Sequence, residues 1–307
     1  VVHDDTPLAE ALTPVYPTSA GLPQAYLRKA VAAGLARAPL DEILPAHLLP
    51  ARWPSLRQSL HFLHHPSPEG SVAALEDHSH PAWQRLKFEE LLAQQLSQLQ
   101  ARMERAALKA PVLQARPQGL HERLLGVLPF ALTGAQQRVC TEIAEDLARS
   151  QPMHRLLQGD VGSGKTVVAA MAAAIAMDAG WQCALMAPTE ILANQHYATI
   201  RRFLDGMDVT VDLLTGSTKK ARRKEIHPML QSGDLHIIIG THALIEDTVQ
   251  FSNLGLVVVD EQHRFGVAQR AKLWNKSEIP PHVLVMTATP IPRTLAMTVY
   301  GDLDVSV

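Results

Sequence analysis

Within RLLQGDVGSGKTVVAAMAAAIA (155–176), Gly159 is followed by four residues and then Gly164-Lys165-Thr166, the spacing of a phosphate-binding P-loop. Gly159, Gly162 and Gly164 let the backbone curl around Ser163 so that several N–H groups point at one anion. The N-terminus of the helix that follows adds its partial positive charge. Lys165 would reach the β- and γ-phosphates of a nucleoside triphosphate, and the Thr166 hydroxyl would ligate Mg²⁺. A second string, LGLVVVDEQHRFG (254–266), carries an apolar run, Leu256 to Val259, that delivers Asp260 and Glu261 at its carboxyl end. There Asp260 would hold Mg²⁺ and Glu261 would orient and deprotonate a water for attack on the γ-phosphate. Either string alone could be a glycine-rich or an acidic turn. An acidic pair about 95 residues after a P-loop, in the same strand-and-helix texture, is a nucleotide-hydrolysis pattern.

The elements that must position these residues are legible. Apolar stretches at 155–158, 183–187, 209–214, 235–240, 254–260 and 282–288 read as strands, with helical patterns between them. Such strands argue a mostly parallel sheet covered on both faces. The P-loop then opens a buried helix: Val167 to Met177 is apolar throughout but too short to span a membrane. Thr133 is the N-cap candidate of a helix over 132–150. APTEILANQH, TGS, GTHAL and TATPIPRT each follow a strand and so would line the sheet edge that carries the P-loop. Their hydroxyls and helix N-termini suit contact with a phosphate backbone rather than base reading.

Residues 1–20 read as an extended connector, 21–128 as an all-helical region, and 129–307 as the α/β domain. Trp83, Leu86, Leu91, Leu92, Leu96, Leu99 and Met103 recur at three- and four-residue steps, which argues an amphipathic helix within 81–110. The net charge of −2 gives no overall basic signal, so contact with nucleic acid must come from local patches. One such patch is STKKARRKEIH, with Lys219, Lys220, Arg222, Arg223, Lys224 and His227. It reads either as a DNA-backbone contact or as a solvated helix face. His61, His64, His65, His78 and His80 lack the spacing of a metal site and read as solvated or capping groups. Cys140 and Cys183, far apart and in apolar contexts, fit free thiols in a reducing cytoplasm. No signal peptide opens the chain. Beginning without Met and ending on a strand-like DLDVSV, it reads as a piece of a longer protein.

The series LTGAQ, GDVGSGKT, APTE, TGS, DEQH and TATP resembles the motif set of second-superfamily helicases. More narrowly, PMHRLLQGDVGSGKTVVA, LMAPTEILANQH, GTHALI, DEQHRFGVAQR and MTATPIPRTLA are similar to the RecG family of bacterial branched-DNA helicases, over about 13–307. The resemblance implies a RecA-like P-loop NTPase domain, the first of two motor domains, preceded by a helical linker and the end of a wedge domain. It implies ATP and Mg²⁺ as cofactors, and forks and Holliday junctions as partners. It also implies a monomeric, cytoplasmic bacterial enzyme in recombination and repair.

By position, Gln136 matches the glutamine that reads adenine, with Phe130 packing nearby. Gln262 and His263 complete the DExH-type box, His263 beside the catalytic Lys165, Asp260 and Glu261. Thr287 and Thr289 match the motif that couples hydrolysis to DNA movement. Pro188, Thr189, Thr215, Gly216, Thr241 and Arg293 fall where the family touches DNA. With a second motor domain and its arginine finger missing, the chain alone is expected to bind nucleotide weakly and not to unwind. Three alternatives stand beside this reading: a transcription-repair coupling translocase, a nucleotide-gated DNA-binding module, and an RNA helicase.

Overall fold

The computed structural model describes residues 12–18, 21–67, 71–260, 272–273, 276–289 and 303–307. They belong to two compact units, Val1–Leu96 and Ser97–Val307. The described residues of the first unit form helices and no strand: α1 (Gln24–Arg37), α2 (Leu56–His64), α3 (Val72–Glu76) and the start of α4 (Pro81–Ala106). Ser55 and Gln58 close a capping box at the start of α2, satisfying two of its first N–H groups. Arg85 is fully buried, and Glu42 and Glu89 each accept from its guanidinium at 2.8 Å. The histidines pack and cap. His64 meets the Tyr16 hydroxyl at 2.9 Å, His80 stacks on Phe62 at 4.2 Å, and His80 Nδ1 accepts from the Ala82 N–H at 3.1 Å.

The 81–110 pattern does form a long helix, but its apolar stripe is only partly covered, with Trp83, Leu86 and Leu92 half-buried. Leu91, Leu96, Leu99 and Met103 are 52, 54, 53 and 74% exposed. The Ala, Leu, Gln, Glu and Arg content of α4 favours a helix by propensity, without full burial of that stripe.

The second unit adds α5 (Leu120–Val127), α6 (Gly134–Leu147), α7 (Lys165–Asp178), α8 (Glu190–Phe203) and α9 (Lys220–Ser232). Its strands are β1 (His154–Gln158), β2 (Gln182–Met186), β3 (Val211–Leu214), β4 (Ile237–Gly240), β5 (Leu254–Asp260), β6 (His282–Thr287) and β7 (Asp304–Ser306). They make one seven-stranded sheet in the order β3-β4-β2-β5-β6-β1-β7, and every pairing is parallel. The six expected strands are all present, within two residues at either end, and the terminal DVS joins as an edge strand. β2, β4, β5 and β6 are buried along their whole length, as a sheet covered on both faces requires.

Alternation splits the core. Cys183, Leu185, Leu256 and Val258 pack with α6, α7 and α8, whereas Ala184, Met186, Val257 and Val259 pack with Ile226 and Leu230 of α9. Each Leu, Val, Ile or Met among them contributes about 1.5–3 kcal/mol if fully buried. Both cysteines are free thiols, and burial pushes Cys140 up to about 11 and Cys183 up to about 12, so both are neutral near pH 7.

Helix α7 has no solvent face, for every residue from Val167 to Asp178 is buried. At its far end the Asp178 carboxylate accepts from the backbone N–H groups of Arg116, Leu120 and His121 at 3.3, 2.7 and 3.1 Å. Two of these donors open α5, so Asp178 caps that helix from 58 positions further along the chain. Gly119 makes room for it. A Cβ there would stand 2.4 Å from Asp178 Oδ1.

A buried histidine ties the base of the sheet to the segment before α5. His282 Nδ1 accepts from the Met153 N–H at 3.0 Å, and Nε2 donates to the Pro111 carbonyl at 2.7 Å. That pattern needs a neutral ring, and burial lowers its pKa from the usual 6.5. The unfolded chain therefore binds a proton that the folded chain refuses between these two values, so stability falls as pH drops below 6.5. We expect the denaturant midpoint to decline from pH 7.5 to pH 5.5, and more shallowly in His282→Gln. Equal slopes in the two proteins would contradict this.

Candidate nucleotide-binding site

Register places the site. In the β5–β6 ladder Asp260 lies opposite Met286, and in the β1–β6 ladder Leu157 lies opposite the same Met286. The strand ends that carry the P-loop and Asp260 are therefore level, at the carboxyl edge where ligands bind in open α/β sheets. A cavity of about 520 Å³ opens there, lined among others by Gly164, Lys165, Thr166, His196, Asp260 and Ala288. That volume lies within the roughly 300–1,000 Å³ of small-molecule sites.

The P-loop is held in shape by its own residues. Gly162 and Gly164 have φ of +83° and +82°, a conformation that costs a side chain dearly. Lys165 Nζ donates to the Gly159 and Asp160 carbonyls at 2.6 and 2.9 Å, closing the loop and leaving one of its three hydrogens. Gly164 is also a point of close approach, since a Cβ there would stand 2.3 Å from Gln136 Nε2. Gln136 is the third residue of α6 and closes a capping box with Thr133: its N–H donates to Thr133 Oγ1 at 3.2 Å, and its Oε1 accepts from the Thr133 N–H at 2.9 Å. Its Nε2 then donates to the Ser163 carbonyl at 2.9 Å, joining α6 to the P-loop. One amide hydrogen and one lone pair remain. Phe130, 46% exposed, stands edge-on to Phe203 at the end of α8.

His196, on α8, carries no role in the sequence reading, yet it bridges the two strings on which that reading rests. Its Nε2 lies 2.7 Å from Asp260 Oδ2, and its Nδ1 lies 3.4 Å from Thr166 Oγ1. Only its place in LANQH, two turns into the helix after APT, marks it. Nothing in the linear sequence says that this turn faces Asp260.

The loops at the same edge are tied together. Thr189 caps α8, accepting from the Leu192 N–H at 3.3 Å, and the next residue, Glu190, accepts from the N–H and hydroxyl of Ser217 at 3.0 and 2.8 Å. The Ser217 hydroxyl and N–H hold the Glu190 carboxyl below its usual 4.5. Thr215 is buried, its hydroxyl 3.0 Å from that of Ser217, while Gly216 and Ser217 are exposed. Thr241 is buried, and its hydroxyl has no hydrogen-bond partner among the described residues. Pro188 is half-buried beside Thr189.

In the basic stripe, Arg222 pairs with Asp212 and Glu225. Arg223 holds Glu246 at 2.7 Å and the Thr215 and Thr218 carbonyls at 2.9 and 3.2 Å, so both arginines are paired within the protein, Arg222 at an exposed position. At the other end of the edge, the Gly159 N–H donates to the Thr287 carbonyl at 3.2 Å and the Thr289 N–H donates to Thr287 Oγ1 at 3.1 Å. Thr287 thus hangs on the first residue of the P-loop. Glu261, Gln262, His263 and Arg293 lie outside the described residues.

Residues 133–298 match the family described as DEAD/DEAH box helicase. The ATP-dependent DNA helicase RecG of Pasteurella multocida (strain Pm70) is 49% identical over 316 aligned residues, covering 100% of this chain and 45% of the relative. The ATP-dependent DNA helicase RecG of Escherichia coli (strain K12) is 48% identical, covering 98% of this chain and 44% of the relative. The chain thus spans somewhat less than half the length of these relatives. A solved structure, of RecG bound to a three-way DNA junction, superposes with a TM-score of 0.72 at 40% identity, covering 95% of this chain and 39% of that one. Among the described residues no helix is long and apolar enough to cross a membrane.

Proposed function

Because the chain belongs to the DEAD/DEAH box helicase family, and its RecG relatives align with it from end to end, we propose that it is the ATP-binding part of a DNA helicase that acts on branched DNA. The observation that carries this is the meeting of Thr166 and Asp260 on one histidine, within the cavity that the P-loop closes.

On this reading residues 129–307 are the first motor domain, 21–128 a helical linker, and 1–20 the end of a wedge domain. The donor set fits the cation. A threonine hydroxyl and a carboxylate are hard oxygen ligands, and Mg²⁺ takes one or two such groups together with substrate phosphates. When bound, Mg²⁺ neutralises charge on the β- and γ-phosphates. Lys165 turns its ammonium to the same oxygens, and the P-loop N–H groups cradle them. The remaining amide hydrogen and lone pair of Gln136 match adenine N7 and N6, with Phe130 packing near the base. Glu261 orients and deprotonates the attacking water, and Gln262 and His263 relay the nucleotide state.

Thr287, whose carbonyl accepts from Gly159 of the loop that holds phosphate, and Thr289, hydrogen-bonded to Thr287, pass hydrolysis on to DNA movement. Pro188, Thr189, Gly216, Thr241 and Arg293 grip the DNA backbone, while the buried Thr215 supports its loop from within. At the TGS loop the contacts come from the exposed Gly216 and Ser217, which Glu190 and Arg223 hold in place. The enzyme is a cytoplasmic monomer.

The test is ATP hydrolysis by the intact protein, without DNA, with linear duplex and with a three-way junction. Hydrolysis should rise with DNA, most with the junction. An equal rate with all three overturns the DNA-motor reading, and equal stimulation by duplex RNA would transfer it to RNA. Glu190→Ala should weaken the apparent affinity for the junction about threefold to tenfold, as expected for losing a charge-assisted hydrogen bond, with the DNA-independent rate unchanged.

A further inference from the structure

We propose that His196 is a positioning residue that holds Thr166 and Asp260 in a single metal-ready arrangement. The inference rests on the nucleotide-site reading above and deepens it.

Hydrogen-bond chemistry fixes how the ring must sit. Ionised, the Asp260 carboxylate only accepts, so the 2.7 Å contact places the ring hydrogen on Nε2. A neutral imidazole then has Nδ1 as an acceptor, and among the described residues the hydrogen offered to it, across 3.4 Å, is that of the Thr166 hydroxyl. With its hydrogen turned to His196, Thr166 Oγ1 keeps its lone pairs for another ligand. One Asp260 oxygen is fixed in the same way. The ring therefore orients a hydroxyl and a carboxylate that belong to different elements, α7 and β5.

The ring itself is anchored. His196 is 9% exposed, and its neighbours on the same face of α8, Ala193 and Ile200, are 0 and 1% exposed in the core. A histidine that served the core alone would need no second partner in the P-loop. Outer partners of metal ligands of this kind typically change metal affinity by about 10–100-fold when removed.

The experiment measures binding of a fluorescent ADP to the intact protein, once with excess Mg²⁺ and once with chelator, for wild type, Lys165→Ala, His196→Ala, His196→Gln and His196→Asn. The readout is the factor by which Mg²⁺ improves affinity. In His196→Ala this factor should fall by about tenfold or more, while the metal-free affinity stays within about twofold of wild type. His196→Gln, whose amide can still donate to Asp260, should recover part of the factor. His196→Asn, too short to reach Asp260, should behave like alanine. If His196→Ala does not fold, the Gln and Asn pair carries the test alone. An undiminished Mg²⁺ factor in the folded variants, or equal losses with and without metal, overturns the proposal. A wild type indifferent both to Mg²⁺ and to Lys165→Ala overturns the nucleotide-site reading, and this inference with it.

Discussion

Lys165→Ala in the intact protein is expected to lower DNA-stimulated ATP turnover by about 100-fold or more, the scale of losing one preorganised charge that faces the transferring group. The side chain acts twice in the same loop. It ties Gly159 to Asp160 through their carbonyls, and in the proposed function its ammonium faces the γ-phosphate. Alanine removes the charge and leaves the glycine-rich loop without its cross-tie, so ADP affinity should also fall, though by less than turnover. Steady-state phosphate release at saturating ATP and junction, beside a calorimetric titration with ADP, separates the two effects. A turnover within about tenfold of wild type would mean that the loop is not the catalytic cradle.

Asp178→Ala is expected to cost about 3–5 kcal/mol of stability, the largest single-residue loss foreseen here. Three backbone donors, on Arg116, Leu120 and His121, converge on this 4% exposed carboxylate. The half-buried Leu120 and His121 lose their acceptor once it is gone, while the exposed Arg116 can turn to water. Asparagine is not a remedy, because its amide nitrogen would face at least one of the N–H groups. Urea unfolding should therefore rank wild type above Asp178→Asn, and Asp178→Asn above Asp178→Ala. An alanine variant within about 1 kcal/mol of wild type would show that α5 is held by its apolar contacts alone.

What could be read in the sequence was what local chemistry dictates. Leu254–Asp260 is apolar enough to be nothing but a covered strand, and it ends on the acid that the site needs. Thr133 caps its helix because T-x-x-Q can close a box with no help from elsewhere. What depended on pieces meeting in space was not legible. Gln136 serves as helix cap and P-loop tether at once, and only the first duty is local. His196 gains its part because α8 packs beside α7 and brings the ring to Thr166 and Asp260, a fact of topology rather than of composition. Arg222 and Arg223 read as a free basic stripe until Asp212 and Glu246 are brought up against them. The leucines of α4 repeat at helical spacing whether or not anything covers them, so periodicity alone could not settle their burial.

Helix α7 carries one more consequence. Because it is buried from Val167 to Asp178, with alanine methyls against sheet and neighbouring helices, the segment that aims Thr166 is also part of the core of the unit. Enzymes whose chemistry sits on surface loops can lose stability and keep their rate, or the reverse. Here the two share one set of contacts. Enlarging any of these alanines would force the helix off the sheet and displace the phosphate cradle with it. Selection for faster turnover and selection for thermal endurance would therefore meet at the same residues, leaving little room to trade one property against the other.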